Sequence, residues 1–223
     1  MQRIKLSERK LPNYTKGEEI FNMVTHIVGG GFGVIALIVS VAVSAIKSDV
    51  WGIVGSAIYG VSLIMLYTMS SVYHGLKNGT AKKVMQIMDH CTIFFLIAGT
   101  YTPILLTAIR RVSPLCAWSI FAIVWGFAAL GIVLNAIDLK RYSKFSMVCY
   151  IGMGWCIILV AKVAFTAIPF WGLIYLLLGG IAYTVGAVFY GFGVKHRYIH
   201  SVFHIFVLLG SILQFISVAF YIL

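Results

Sequence analysis

Two histidines four residues apart, His200 and His204, stand at the start of the apolar stretch 199–222. On a helix such a pair shares one face, about 6 Å apart in height. It is a common way to offer two imidazole nitrogens to zinc. His74 could supply a third nitrogen, leaving the fourth tetrahedral position for water, as in a catalytic zinc site. Ser70 lies one turn from His74 on the same helix face, placing its hydroxyl within reach of whatever the site holds. Asp89 and His90 are adjacent in sequence and would point ~100° apart around a helix, so at most one is expected to face the site. The carboxylate of Asp89 is the better complement to a zinc-bound water, as base or as orienting group. Taken alone, the pair His200/His204 reads equally as a hydrogen-bonding partner of lipid phosphate or loop carbonyls. Imidazole ligands by themselves also admit iron, nickel and cobalt.

These side chains must be carried by elements suited to lipid. Of 223 residues, 61% are hydrophobic and only 10% charged, and the mean hydropathy is +0.99. Seventeen Lys+Arg and six Asp+Glu are too few to cover a soluble globule of this length. A soluble enzyme, a disordered chain and a nucleic-acid-binding domain are excluded, so the basic balance (pI about 9.6) points to charges held in loops at one membrane face. A spanning helix needs ~20 mostly apolar residues, and seven such stretches run roughly over 20–46, 51–74, 84–108, 114–137, 144–166, 169–193 and 199–222. They are continuous and do not alternate in period two, which excludes a β-barrel. The expected fold is an all-α membrane protein, a seven-transmembrane helix bundle (residues 20–223) preceded by a short polar tail over 1–19. That tail lacks the apolar core and cleavage site of a signal peptide.

Charge counting orients the bundle. With the N-terminus inside, the inner segments hold thirteen of the seventeen lysines and arginines, including Arg3, Lys5, Lys140 and Lys195. The outer side keeps Lys47, Arg110, Arg111 and Lys162. The positive-inside rule therefore expects a cytoplasmic N-terminus and an outside C-terminus, opposite to G-protein-coupled receptors and microbial rhodopsins. The last span also lacks the lysine that a retinal Schiff base requires. In that topology His26, His74, Asp89, His90, His200 and His204 all fall toward the cytoplasmic ends of their helices. Ionisable groups at membrane depth are costly and mark function by default, so this convergence carries weight. For His26 with Asn22 the plainer expectation is a packed interhelical hydrogen bond. Asn135 and Asp138 are expected to cap or snorkel, and His196 to be a solvated loop residue. Cys91, Cys116, Cys149 and Cys156 read as apolar fillers, Gly29 and Gly33 as close helix contacts, and Pro103 as a kink in the third span.

In sum these motifs resemble the hemolysin III family, the bacterial branch of the progestin and adipoQ receptor superfamily. The resemblance covers nearly the whole chain and rests on Glu19–Asn22–His26, Ser70-Ser-Val-Tyr-His74, Met88-Asp89-His90, Ala98-Gly-Thr-Tyr-Thr-Pro103 and His200-Ser-Val-Phe-His204 followed by Gly210-Ser211. It implies a seven-helix fold with a cytoplasmic N-terminus and zinc near the inner leaflet, held by His74, His200 and His204. Asp89 would then hold or activate a zinc-bound water, and the Ser70 hydroxyl would support the metal's ligands from behind or stabilise the oxyanion. The superfamily's alkaline ceramidases imply hydrolysis of a lipid amide. The short tail, where adiponectin receptors carry a long domain, speaks against receptor-style signalling. Three functions are therefore expected in descending order: a zinc-dependent hydrolase of a lipid amide or ester, a membrane-state sensor with a structural zinc, and a pore-forming hemolysin. The third is disfavoured because spans four to six offer almost no polar lining. The expected partner is membrane lipid, as substrate or ligand, and the expected location a bacterial inner membrane.

Overall fold

A chain crossing hydrocarbon must satisfy its backbone internally, and continuous apolar runs of this length do so as helices. The computed structural model describes residues 6–47, 49–192 and 196–223. Among them are seven helices long and apolar enough to cross a membrane: α1 Lys16–Ile46, α2 Val50–Gly75, α3 Thr80–Val112, α4 Pro114–Asp138, α5 Ser143–Ala167, α6 Phe170–Gly191 and α7 Ile199–Ile222. No strand occurs among the described residues. The protein is a multi-pass helical membrane protein. Arg3, Lys5 and Lys195, which enter the charge count, and the final residue of the sixth stretch lie outside the described residues.

Two helices outrun their apolar stretches. α1 begins at Lys16 because Thr15 and Glu18 form a capping box: Glu18 N donates to Thr15 Oγ1 at 3.3 Å and Thr15 N to Glu18 Oε2 at 2.8 Å. The polar tail and the first helix thus overlap. α3 extends from Thr80 to Val112 by passing through a π-helical segment, Ile104–Ile109, directly after Pro103. Proline cannot supply the hydrogen bond its helix position calls for, so the helix rewinds beyond it. Thr107 Oγ1 donates to the Pro103 carbonyl at 2.6 Å. α5 is broken at Trp155 into a 3-10 stretch, Cys156–Val160. Tyr101 stitches the break, donating to the Gly154 carbonyl at 2.9 Å and accepting from Ile157 N at 3.0 Å.

α3 is the central helix and by far the most buried, against α2, α4 and α5; α1 pairs with α2, and α6 with α7. α1 meets α2 through Gly29 and Gly33, as expected of small residues at membrane helix contacts. A Cβ on Gly29 would strike the Tyr67 ring, and one on Gly33 would lie 3.1 Å from the Ile64 amide nitrogen. All four cysteines are free thiols. Asp138 is buried at the end of α4 and accepts from Arg141 N at 3.1 Å, the capping role expected of it. Asn135 differs from expectation. It is fully buried, accepts from Ser146 Oγ at 2.7 Å and donates to Tyr150 Oη at 3.4 Å, so it joins α4 to α5 and does not cap. A side-chain amide in a helix contact finds partners across the interface more readily than at a wet end.

Candidate functional site

The end of α2, the start of α3, the first half of α1 and the start of α7 meet at one end of the bundle, and the expected site residues gather there. His74, His200 and His204 are all buried and each offers a ring nitrogen within 4.8 Å of the other two. The i, i+4 spacing brings His200 Nε2 to 3.1 Å from His204 Nε2. His74 faces them across the α2–α7 contact, with ring centroids 5.5 Å from His200 and 5.0 Å from His204.

Neighbouring groups hold these rings. His74 Nδ1 donates to Glu19 Oε2 at 2.6 Å, so the carboxylate from α1 fixes the tautomer and turns the lone pair of Nε2 toward the other histidines. That Nε2 is buried and has no hydrogen-bond partner. Lys82 Nζ lies 2.7 Å from Glu19 Oε1 and donates to the Leu76 carbonyl at 3.0 Å, neutralising the carboxylate while closing the end of α2. Tyr14 stacks on His200 with ring centroids 5.0 Å apart, and burial pushes its phenol pKa well above the ordinary value. Glu18 Oε1 accepts from Tyr198 N at 2.7 Å, holding that residue in a left-handed conformation (φ 60°) from which α7 starts two residues ahead of His200.

Zinc fits this donor set. Tetrahedral Zn–N bonds of ~2.0–2.1 Å put neighbouring nitrogens roughly 3.3 Å apart, close to the 3.1 Å between His200 and His204. His74 would be the third ligand, and its unpartnered, carboxylate-oriented Nε2 is the atom that would make the bond.

The site opens on a cavity of about 850 Å³ with largely apolar walls. Ser70, Asp89, His90, His200 and His204 all line it. Asp89 does not belong to the three-histidine cluster; its Oδ2 lies 3.7 Å from His90 Nδ1. Both Asp89 and His90 line the cavity, and neither belongs to the three-histidine cluster. The nitrogens of His90 are engaged, Nδ1 at 2.9 Å from the Gln86 carbonyl and Nε2 at 3.1 Å from Tyr190 Oη. His26 departs from the expected interhelical hydrogen bond. Its ring stacks on His204 at 3.8 Å between centroids, and neither its nitrogens nor the side-chain amide of Asn22 has a partner. His196 is exposed, as expected. The spacing of the histidines could not reveal Tyr14, Lys82 or Tyr190, which come from distant parts of the chain. Glu19 did carry a signal, since Glu19, Asn22 and His26 recur at i, i+3 and i+7 on one helix face.

Fold and site together define a seven-helix membrane protein with a buried histidine cluster beside an apolar cavity at one end. The chain belongs to the haemolysin-III-related family, whose model matches residues 14–215. It is 39% identical over 206 residues to Hemolysin-3 of Bacillus cereus, covering 92% of each chain. To the Hemolysin-3 homolog of Bacillus subtilis it is 36% identical over 208 residues, 93% of this chain and 96% of that one. A more distant similarity, 26% over 190 residues, reaches the human monocyte to macrophage differentiation factor, covering 82% of this chain and 76% of that protein. The family thereby joins this chain to the progestin and adipoQ receptor superfamily.

Proposed function

We propose that this protein is a zinc-dependent intramembrane hydrolase that cleaves the amide or ester bond of a lipid at the cytoplasmic face of a bacterial inner membrane. One observation carries the reading: three buried histidine nitrogens, one oriented by a carboxylate, stand at an apolar cavity that Ser70 and Asp89 also line. When bound by His74, His200 and His204, zinc supplies a Lewis acid and lowers the pKa of water toward ~7. Glu19 and its partner Lys82 keep His74 in the binding tautomer. Asp89 accepts a proton from the attacking water at its carboxylate and returns it to the departing amine or alcohol. Ser70 Oγ donates to the carbonyl oxygen as charge develops there. The apolar walls hold the acyl chain and keep bulk water from the reacting bond. The excess of Lys and Arg on segments at this end supports its cytoplasmic placement.

The test is metal analysis of detergent-purified protein followed by turnover of defined lipid amides and esters. About one zinc per chain is expected, lost in His74→Ala, His200→Ala and His204→Ala. Asp89→Ala is expected to keep the zinc and lose turnover; full activity in that variant would sink the mechanism.

A second reading is favoured by Tyr14, whose ring stacks on His200. Here zinc ties α2 to α7, with α1 attached through Glu19, and the protein senses the state of the membrane. It requires strong thermal destabilisation on chelation together with no turnover of any lipid amide or ester.

A further inference from the structure

The polypeptide ahead of α1 contributes part of the cavity wall, from Glu8 to Pro12. It is fixed at both ends: Lys83 Nζ donates to the Ser7 carbonyl at 2.7 Å, and the Thr15–Glu18 box closes onto α1. Within this segment Arg9 is anomalous. It is only 8% exposed, and its Nε and Nη1 are buried without a hydrogen-bond partner. Among the described residues no carboxylate oxygen comes within 4.0 Å of its guanidinium. An arginine remains charged in a protein, and a buried charge without a counter-ion is strongly unfavourable. Elsewhere in this end of the molecule buried charge is paired, as Lys82 is by Glu19.

The surroundings say what is missing. Lys10 and Lys140, both exposed, line the same cavity, so its polar rim carries more positive charge than Glu8 and Asp89 offset. Asp89 is turned to His90. Beyond the rim the walls are apolar, with Ile97, Ile104, Leu173 and Leu177 among the lining residues. The volume of about 850 Å³ suits one amphiphile of drug-like size, for which pockets run ~300–1,000 Å³.

We propose that Arg9 is the binding site for the oxyanion head of an amphiphile, a carboxylate or phosphate, whose hydrocarbon chain occupies the cavity. The planar guanidinium fork matches either oxyanion in bidentate fashion, and Lys10 and Lys140 draw the anion to the rim. The assignment names the chemical class of the ligand and rests on the lipid reading of the same cavity, but not on a metal.

Quenching of tryptophan fluorescence tests it, because Trp155 lines the cavity. The full-length protein in nonionic detergent is titrated with three probes sharing one dibrominated acyl chain: the free fatty acid, the lysophosphatidate and the neutral monoacylglycerol. Both anionic probes are expected to bind at least about tenfold more tightly than the neutral one, the scale of a charge-assisted hydrogen bond. Arg9→Gln is expected to abolish that preference while leaving the neutral probe's affinity unchanged, and Arg9→Lys to restore part of it. Metal-stripped protein must retain the preference; its loss on stripping would assign the anion to the metal and overturn the proposal. Equal affinity for charged and neutral probes, or an Arg9→Gln protein of unchanged melting temperature that still discriminates, would also overturn it. Competition by millimolar inorganic phosphate as strong as by lysophosphatidate would make this a free-anion site and overturn the amphiphile assignment. No quenching by any probe would instead remove the lipid reading of the cavity itself.

Discussion

The two ends of the helix bundle differ in how many buried polar atoms they leave unpartnered. At the end where α1 runs into α2 and the C-terminus lies, polar groups are spent on each other. Ser44 and Ser56 share a hydrogen bond of 3.1 Å, Arg111 pairs with Asp49, Lys47 caps the last residue's carbonyl, and Arg110 sits over the Trp51 ring. At the opposite end, buried nitrogens of Arg9, Asn22, His26, His74 and His204 have no hydrogen-bond partner. Among the described residues, the buried hydroxyl of Ser201 beside the cluster is also unpartnered, as are those of Ser40 and Tyr59 in the body of α1 and α2. Burying an unsatisfied polar atom costs ~1–3 kcal/mol. Under the proposed function, the unpartnered nitrogens of Arg9, His26 and His204, which line the cavity, are held for what it binds.

Substitutions at each end should therefore fail differently. The largest effect is expected from Asp89→Ala, a fall in lipid turnover of ~10²–10⁴-fold, the usual contribution of a general base. Zinc content should stay near one per chain, measured on the same preparation. Next comes Glu19→Gln, which keeps the shape but weakens the acceptor that orients His74. It is expected to lower metal affinity by ~10–100-fold, as loss of a carboxylate behind a ligating histidine does, read by competition with a chromophoric chelator. In the middle of the scale lies Asn135→Ala, which removes the buried link from α4 to Ser146 and Tyr150. Leaving such partners unsatisfied is expected to cost ~1–3 kcal/mol of stability with unchanged metal content, seen as a lower melting temperature. The smallest effect is expected from Arg111→Ala at the far end. Its half-exposed pair with Asp49 is worth under about 1 kcal/mol, and neither zinc nor turnover should move. A loss of metal in Asn135→Ala or Arg111→Ala would break the division between the two ends.

Much of the architecture could be read directly from hydropathy. All seven spans appear where continuous apolar runs predict them, because a backbone in lipid has few alternatives to the helix. The ends of the helices were less legible. α1 starts early on a Thr15–Glu18 capping box, and α3 continues beyond Pro103 as a π-helix because Thr107 and the packing of α2 at Gly55 support it. The histidine pair was legible because His200 and His204 lie on a single helix, whose pitch sets their spacing. His74 was legible only as a candidate, since it approaches them from another helix. The pairing of Glu19 with His74, spanning 55 positions, could not be read from periodicity.

What the sequence determined by itself is therefore local and periodic: the number of crossings, the placement of His200 and His204 on one helix face, and the exclusion of soluble folds by 61% hydrophobic composition. Tertiary structure alone decided which distant groups meet. It brought Glu19 behind His74, Tyr14 onto His200, His26 against His204, and the unpaired Arg9 to the cavity. The physical reason is range. Backbone hydrogen bonding and burial in lipid act on every residue within a turn or a span, and so leave a repeating mark in the order of residues. The geometry of a site depends on which faces of α1, α2, α3 and α7 pack together, and side-chain fit between helices settles that without any period along the chain.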